Sequence, residues 1–314
     1  MWMLKYDDAK VKRYVELIGL HTKMKFNKKG LKTNVPSVYH GCKAYKWLTK
    51  DKVEEYMTAK PKRLLEMHEE LFKLLKGKRK GINKKEIECI NSIINYKHYI
   101  DQNKEMSYEL AKLMNSNTCT YCNRQYTLTV VDKKKKEYLL RPEFDHWFPQ
   151  SKYPDLALSY YNLIPACHYC NSSLKGFDEM NLKEYIHPYI DEKIGFHFSY
   201  VPTSTGYAVT TEKNDDVDPS YYARVLKTLD MFKIQQVYDA HSDLELKDLM
   251  ELANANPKDY IETLVNEVMS KAGVDVESAY RMLFGIELYE EKYKNRPMSK
   301  FKNDIIRKIR EEMG

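Results

Sequence analysis

Two kinds of chemistry are written into the stretch from Glu143 to Gly176, EFDHWFPQSKYPDLALSYYNLIPACHYCNSSLKG. Cys167 and Cys170 form a C-x-x-C pair that answers a second pair upstream, Cys119 and Cys122. Four thiolates are the number a closed tetrahedral zinc site requires, and such sites bind with roughly 10 to 16 kcal/mol at neutral pH, enough to fix a small unit by themselves. Between Cys122 and Cys167 lie 44 residues, where a plain zinc ribbon has about 15 to 20. The surplus holds Asp145 and His146. A carboxylate and an amide carbonyl suit Mg²⁺, which keeps several waters and takes only one or two protein ligands beside a substrate phosphate. An imidazole with a pKa near 6.5 suits the deprotonation of water at neutral pH. Closing the zinc site brings Asp145 and His146 back against Asn171, directly after Cys170, and the three together specify metal-assisted phosphodiester hydrolysis.

Those residues need elements to hold them. Tyr126 to Val131 alternates as a half-buried strand, Asp132 to Lys136 is a polar turn, and EYLLRPEF returns as a second strand ending at Asp145-His146. Neighbouring strand residues face opposite ways, so the strand is expected to twist, bulge or end at this pair, with Pro149 stopping the pairing soon after. A loop carrying Pro149 and Pro154 leads through an apolar segment to the second cysteine pair and a short helix starting near Asn171. Upstream, AKPKRLLEMHEELFKLLKG and NKKEIECINSIINYKHYIDQ show apolar residues at three- and four-residue spacing, broken by Gly77 and Gly81, and SYELAKLMNSN adds a helix with Ser107 as its cap. Downstream, a hairpin turns around Thr205-Gly206. Helices then begin at the cap-and-proline pairs Asp218-Pro219 and Asn256-Pro257, with Gly273 as a stop. The expected class is therefore α+β and mainly α, with a helical region 1–115, a zinc-stabilised core 116–190, a hairpin and linker 191–217, and a helical region 218–314.

Composition narrows the field. The 314 residues are 43% hydrophobic and 31% charged, an ordinary globular balance, and no apolar run nears the roughly 18 residues of a membrane span. Without a signal-peptide pattern the expected location is cytoplasmic, where paired cysteines mean metal rather than disulfides. Cys42 and Cys89 stand alone and read as small buried apolar residues. Residues 1–100 carry 24 Lys+Arg against 11 Asp+Glu, so the net +7 of the whole chain is +13 there and −6 elsewhere. Such an excess fits a surface that tracks phosphates, although many of these lysines simply solvate helix faces.

The segments FDHWFPQS, YYNLIPACHYCN and SSLKG resemble the HNH endonucleases of the ββα-metal fold, in the branch where two C-x-x-C pairs hold a structural zinc. The resemblance covers about Cys119 to Gly176; the ending LFGIELYEEKYKNRPMSKFKNDII is similar to the tail of a group of bacterial HNH proteins. It implies a ββα-metal core in which His146 is the general base and Asp145 a ligand of the catalytic Mg²⁺. Asn162 is then the central asparagine that orients the loop and the base. Asn171 takes the third position, where many members carry His, making an H-N-N variant. Cleavage of DNA, or of RNA, would leave 5′-phosphate and 3′-hydroxyl ends. Bacterial proteins of this form often serve in phage defence, some beside an ATPase subunit as in Septu-type systems.

Blander roles compete at several positions. His168 rivals Asn171 as a metal or phosphate contact, but knuckle positions usually face solvent. Lys175 is as well placed to meet a phosphate as to sit near a helix C-terminus before Gly176. The lysines from 133 to 136 read as a solvated turn, and Trp147 and Phe148 as packing. A zinc deaminase would need H-x-E and P-C-x-x-C, whereas His146 is followed by Trp-Phe and Pro165 stands one place too early. The remaining alternative is a noncatalytic zinc module that binds nucleic acid or a partner protein. Loss of Asp145, His146 or Asn171 would be its mark, and all three are present.

Overall fold

Capping residues divide the N-terminal region into short helices. The computed structural model describes residues 2–22, 32, 34–77, 81–135, 137–254, 263, 267, 269 and 271–313. Helix α1 spans Asp8–Thr22, α2 Lys43–Trp47 and α3 Lys50–Thr58, the last capped by the Thr49 side chain. Helix α4, Pro61–Lys76, opens with Pro61 at its first turn and ends at Gly77, whose φ of 52° suits glycine. Its Leu64, Met67, Leu71 and Leu75 are buried at helical spacing, each stabilising the core by roughly 1.5 to 3 kcal/mol. Helix α5, Lys84–Ile93, is capped by Asn83, and a wide turn at Lys97–Asp101 leads to α6, Lys104–Met114. The cap of α6 is Asn103, whose side chain accepts from the Met106 N–H; Ser107, expected there, is buried inside the helix and donates to the Lys104 carbonyl.

The central strands differ from the expected pair in an instructive way. Strand β1 covers only Val130–Asp132 and pairs with β2, Glu137–Leu140. Residues before it are committed elsewhere: Cys119 N–H donates to the Gln125 carbonyl and Thr127 N–H to that of Asn117, folding this backbone around the first cysteine pair. Nor does EYLLRPEF form one strand. It breaks at Arg141-Pro142, because proline brings no N–H to a ladder, and resumes as β3, Glu143–His146. That strand pairs antiparallel with β4, Leu163–Ala166, from Glu143↔Ala166 to His146↔Leu163 without a bulge, and stops at His146. The helical segment that follows runs Tyr169–Lys175, starting earlier than Asn171 and ending at Gly176 with φ 54°; it is called the site helix below.

Beyond it, β5 (Phe196–Pro202) and β6 (Tyr207–Lys213) form the expected hairpin, and α7, Pro219–Met231, is capped by Asp218. Helices α8 (Ile234–Asp239) and α9 (Lys247–Asn254) follow; the expected start at Asn256-Pro257 lies outside the described residues. Gly273 has φ 77°, and α10 (Val276–Phe284) and α11 (Ser299–Met313) complete the chain. Helix α11 packs on β5, with Phe301 edge-on to Phe198 at 5.3 Å. The protein is thus α+β, helix-rich with small two-stranded antiparallel sheets. No described helix is long and apolar enough to cross a membrane.

Candidate active site

The four paired cysteines converge. Cys119, Cys122, Cys167 and Cys170 are all buried and their sulfurs lie within 4.8 Å of one another, with Cys122 and Cys167 3.9 Å apart. A tetrahedral zinc with Zn–S bonds of about 2.3 Å sets its sulfurs about 3.8 Å apart, so the cluster fits that ion. Each pair sits in a tight turn, closed by Asn123 N–H to the Cys119 carbonyl and by Asn171 N–H to that of Cys167. Asn123 takes the left-handed conformation, φ 51°, that such a turn needs, and the Arg124 N–H points at the Cys122 sulfur, 3.4 Å away. The first turn is tied to β4 by Thr120 N–H to the Pro165 carbonyl. The cluster therefore clips β4 and the site helix to the segment before β1.

At the free end of β3 the alternation of a flat strand is obeyed. Glu143 and Asp145 reach the site helix, while His146 turns the other way. Its Nε2 lies 3.0 Å from the Ala157 carbonyl, and its ring meets Tyr96 edge-on at 4.5 Å. A carbonyl can only accept, so Nε2 carries the hydrogen and Nδ1 keeps the lone pair. Burial pushes the imidazole below its ordinary pKa, opposed by the Ala157 carbonyl and Asp145 and assisted by Lys175. His146 is thus neutral near pH 7.

Asp145 is 2% exposed and fully engaged. Its Oδ2 accepts from the Tyr121 hydroxyl at 2.5 Å and its Oδ1 from the Lys175 ammonium at 2.7 Å. Lys175, equally buried, also donates to the His146 carbonyl at 2.7 Å. Lys175 ends the site helix just before Gly176, the second of the two places weighed for it, and its charge is engaged by Asp145 rather than open to a phosphate. Asn171 does not meet Asp145; its amide nitrogen donates to Glu143 at 2.8 Å. His168 is exposed, as a knuckle residue should be, and its Nδ1 lies 2.8 Å from the other Glu143 oxygen. Burial raises the Glu143 pKa, but hydrogen bonds from Asn171, His168 and Ser172 outweigh it and hold the carboxyl below its usual range.

Asn162 contacts none of these groups. Fully buried, it accepts from the Phe148 N–H at 2.7 Å and donates to the Phe148 and Leu156 carbonyls, both at 3.1 Å. It closes the loop that carries Ala157, and Trp147 and Phe148, both buried, pack edge-on to one another, Trp147 against His187 and Phe148 against Tyr153. An open cleft of about 920 Å³ runs along the whole site. Glu143, Asp145, His146, Asn171 and Lys175 line it together with Asn91, Asn95, Lys97 and Asp101 of the N-terminal region and with Arg141. Phe177, 89% exposed, stands at its rim. Sequence reasoning missed Glu143 and Tyr121. The first was legible as a carboxylate two places before Asp145 and hence on the same strand face; the second carries no local signal.

No protein-family model matches the chain, and no solved structure matches it. Two curated proteins show partial similarity. Protein ea31 of Escherichia phage lambda is 39% identical over 59 residues, which is 18% of this chain and 20% of that protein. Septu protein PtuB of Bacillus thuringiensis is 32% identical over 78 residues, 25% of this chain and 26% of that protein. The matches span about a fifth to a quarter of those relatives' own lengths. The chain is thus distantly similar to a Septu defence protein and carries a buried four-cysteine cluster that can hold zinc.

Proposed function

We propose that this protein is a zinc-stabilised, divalent-metal-dependent HNH endonuclease acting on DNA in defence against phage. The observation that carries the reading is the setting of His146. It ends the first strand of a strand-loop-strand-helix unit, a backbone carbonyl fixes its tautomer with Nδ1 unprotonated, and it lines an open cleft of about 920 Å³. Similarity to a Septu protein supports the defence role, and an ATPase-class partner subunit belongs to the same proposal.

In this reading His146 Nδ1 takes the proton of the attacking water, and Ala157 holds the ring as it becomes charged. Asn162 keeps Ala157 in place. Hard oxygen donors for a cation are present where the site helix meets β3: Glu143 and Asn171 would hold Mg²⁺, joined by Asp145 if Lys175 yields its place. When bound, the cation supplies charge to the scissile phosphate and to the leaving oxygen. The N-terminal region also lines the cleft, and there Lys97 would meet the backbone phosphates. A noncatalytic zinc module would keep the cysteine cluster but gain nothing from a neutral, carbonyl-fixed histidine. Plasmid cleavage with Mg²⁺ tests the choice. His146→Ala should abolish nicking while retaining zinc and DNA binding, and cleavage that survives the substitution refutes the role of His146.

A further inference from the structure

Of the two groups that hold Asp145, one lies within the first cysteine turn and the other on the helix that carries the last cysteine. Tyr121 lies between Cys119 and Cys122, and Lys175 stands on the site helix five residues after Cys170. Tyr121 is fully buried, and its ring stacks on Phe232 at 4.0 Å. Its hydroxyl reaches Asp145 Oδ2, Lys175 bridges Asp145 Oδ1 to the His146 carbonyl, and His146 Nε2 reaches Ala157. A continuous hydrogen-bonded path thus leads from the first cysteine turn to the backbone carbonyl of His146, whose ring is held at its far end by Ala157. Burying a carboxylate and an ammonium gains little stability by itself. Fully satisfied, however, such a pair allows one geometry and penalises others, because any displaced member is left charged and dry.

We infer that Tyr121 is a positioning residue of the cutting centre, which transmits the geometry set by the four cysteines to His146 through Asp145 and Lys175. This rests on the nuclease reading for its consequence in rate, but not for its consequence in structure. Partners behind directly acting groups typically matter 10- to 100-fold, and the same range applies here, since the hydroxyl touches neither substrate nor base. The phenol acts on the orientation of the base alone, so turnover falls and substrate affinity stays.

Tyr121→Phe keeps the ring on Phe232 and removes only the hydroxyl. The expected result is one zinc per chain as in the wild type, kcat for plasmid nicking lowered about 10- to 100-fold and KM within about twofold. Lys175→Met interrupts the path at its other end and should lower kcat alike. The double variant should be no slower than the slower single variant, because both break one path. Independent of activity, the His146 ring Cε1–H signal in an NMR spectrum of the full chain should move in Tyr121→Phe. An unchanged kcat with full zinc, losses that multiply in the double variant, or an unmoved His146 signal overturns the inference. Loss of zinc from Tyr121→Phe also overturns it, for the phenol would then serve the cysteine turn. A wild type that cuts no nucleic acid would sink the nuclease reading alone, and the ring signal would still decide the path.

Discussion

Replacing Asn162 by alanine is the most informative change outside the cleft. The carboxamide is fully buried and makes three hydrogen bonds, to Phe148 N–H, the Phe148 carbonyl and the Leu156 carbonyl. Alanine orphans the Phe148 N–H and carbonyl, which lie in a buried residue beyond the reach of bulk water, while the Leu156 carbonyl keeps the Ser159 N–H as a donor. The donor alone costs about 1 to 3 kcal/mol, and the orphaned carbonyl, which tolerates partial satisfaction better, adds about 0.5 to 1. The sum, roughly 1.5 to 4 kcal/mol, is a large share of the roughly 5 to 15 kcal/mol that holds a protein folded. A second consequence follows from the loop: Ala157 lies in it, and its carbonyl fixes His146. A shift of about 1 Å in such a positioning group can lower a rate 100-fold. Urea unfolding measures the first effect, and plasmid nicking at saturating substrate the second. A variant that loses less than about 1 kcal/mol and keeps kcat within threefold would refute both the loop-closing role and its link to His146. Asn162→Asp separates size from chemistry. It keeps the volume and the acceptor toward Phe148 N–H but turns the donor toward two carbonyls into an oxygen, and should fare no better than alanine.

Removing zinc by chelation, or substituting Cys119→Ser or Cys170→Ser, should release about one ion per chain and lower the unfolding temperature, read by metal analysis and calorimetry. The kcat/KM of nicking should rise with pH and level off at an apparent pKa below 6.5, because burial lowers the pKa of His146 and its neutral form is the base; a plateau reached only above pH 8 would contradict the assignment. Stability should fall in acid through His187, which is fully buried against Trp147 and accepts from Tyr189 N–H, its pKa lowered to about 3 by burial and then by Arg224. Since the folded value lies below the unfolded one, stability is complete above about pH 6.5 and lost as pH falls toward 3, at about 1.4 kcal/mol per unit or about 2 kcal/mol by pH 5. Urea unfolding at pH 7 and pH 5 should show that loss in the wild type and a correspondingly smaller one in His187→Phe. Lys97→Gln should reduce the salt slope of DNA binding by about one unit, and an unchanged slope would remove Lys97 from the phosphate surface.

Residue spacing made some of this legible and left the rest hidden, for physical reasons that differ from place to place. The two C-x-x-C pairs announce a cluster because each turn is local and the pairing of equal turns through a metal is a matter of ligand count. The helices of the N-terminal region were legible through apolar spacing, as in Leu64, Met67, Leu71 and Leu75. The strand expected from Tyr126 failed because alternation reports a fit to some pleated surface, not which backbone will supply the hydrogen bonds. Here Asn117 and Gln125 took part in folding the cysteine turn, and only Val130–Asp132 remained for β2. The break at Pro142 was visible in the sequence, since a proline within an apparent strand argues against it.

The Asp145-His146 pair shows where such reading stops and what resolves it. Alternation requires the two side chains to diverge, which looked like an obstacle to a single centre. The structure lets them diverge and uses both directions: His146 goes to the loop that fixes its tautomer, and Asp145 goes inward to Tyr121 and Lys175. Lys175 then returns to the His146 carbonyl, so the two sides of the strand meet again through the backbone. Glu143, on the Asp145 side but nearer the opening, is the carboxylate that faces Asn171 and His168. The contrast between a buried acid and a more exposed one that meets the cleft follows from the two-residue repeat of a strand whose inner end is dry and outer end wet. In the proposed reading, a buried carboxylate already matched by an ammonium has little reason to leave its place for a cation, whereas Glu143, held by Asn171, Ser172 and the exposed His168, would yield more readily. If a divalent ion binds as proposed, competition between it and Lys175 for Asp145 decides which acid would serve as the ligand. The Mn²⁺ affinity of Glu143→Gln compared with that of Lys175→Met reads it directly: loss in the first and no gain in the second assigns the cation to Glu143.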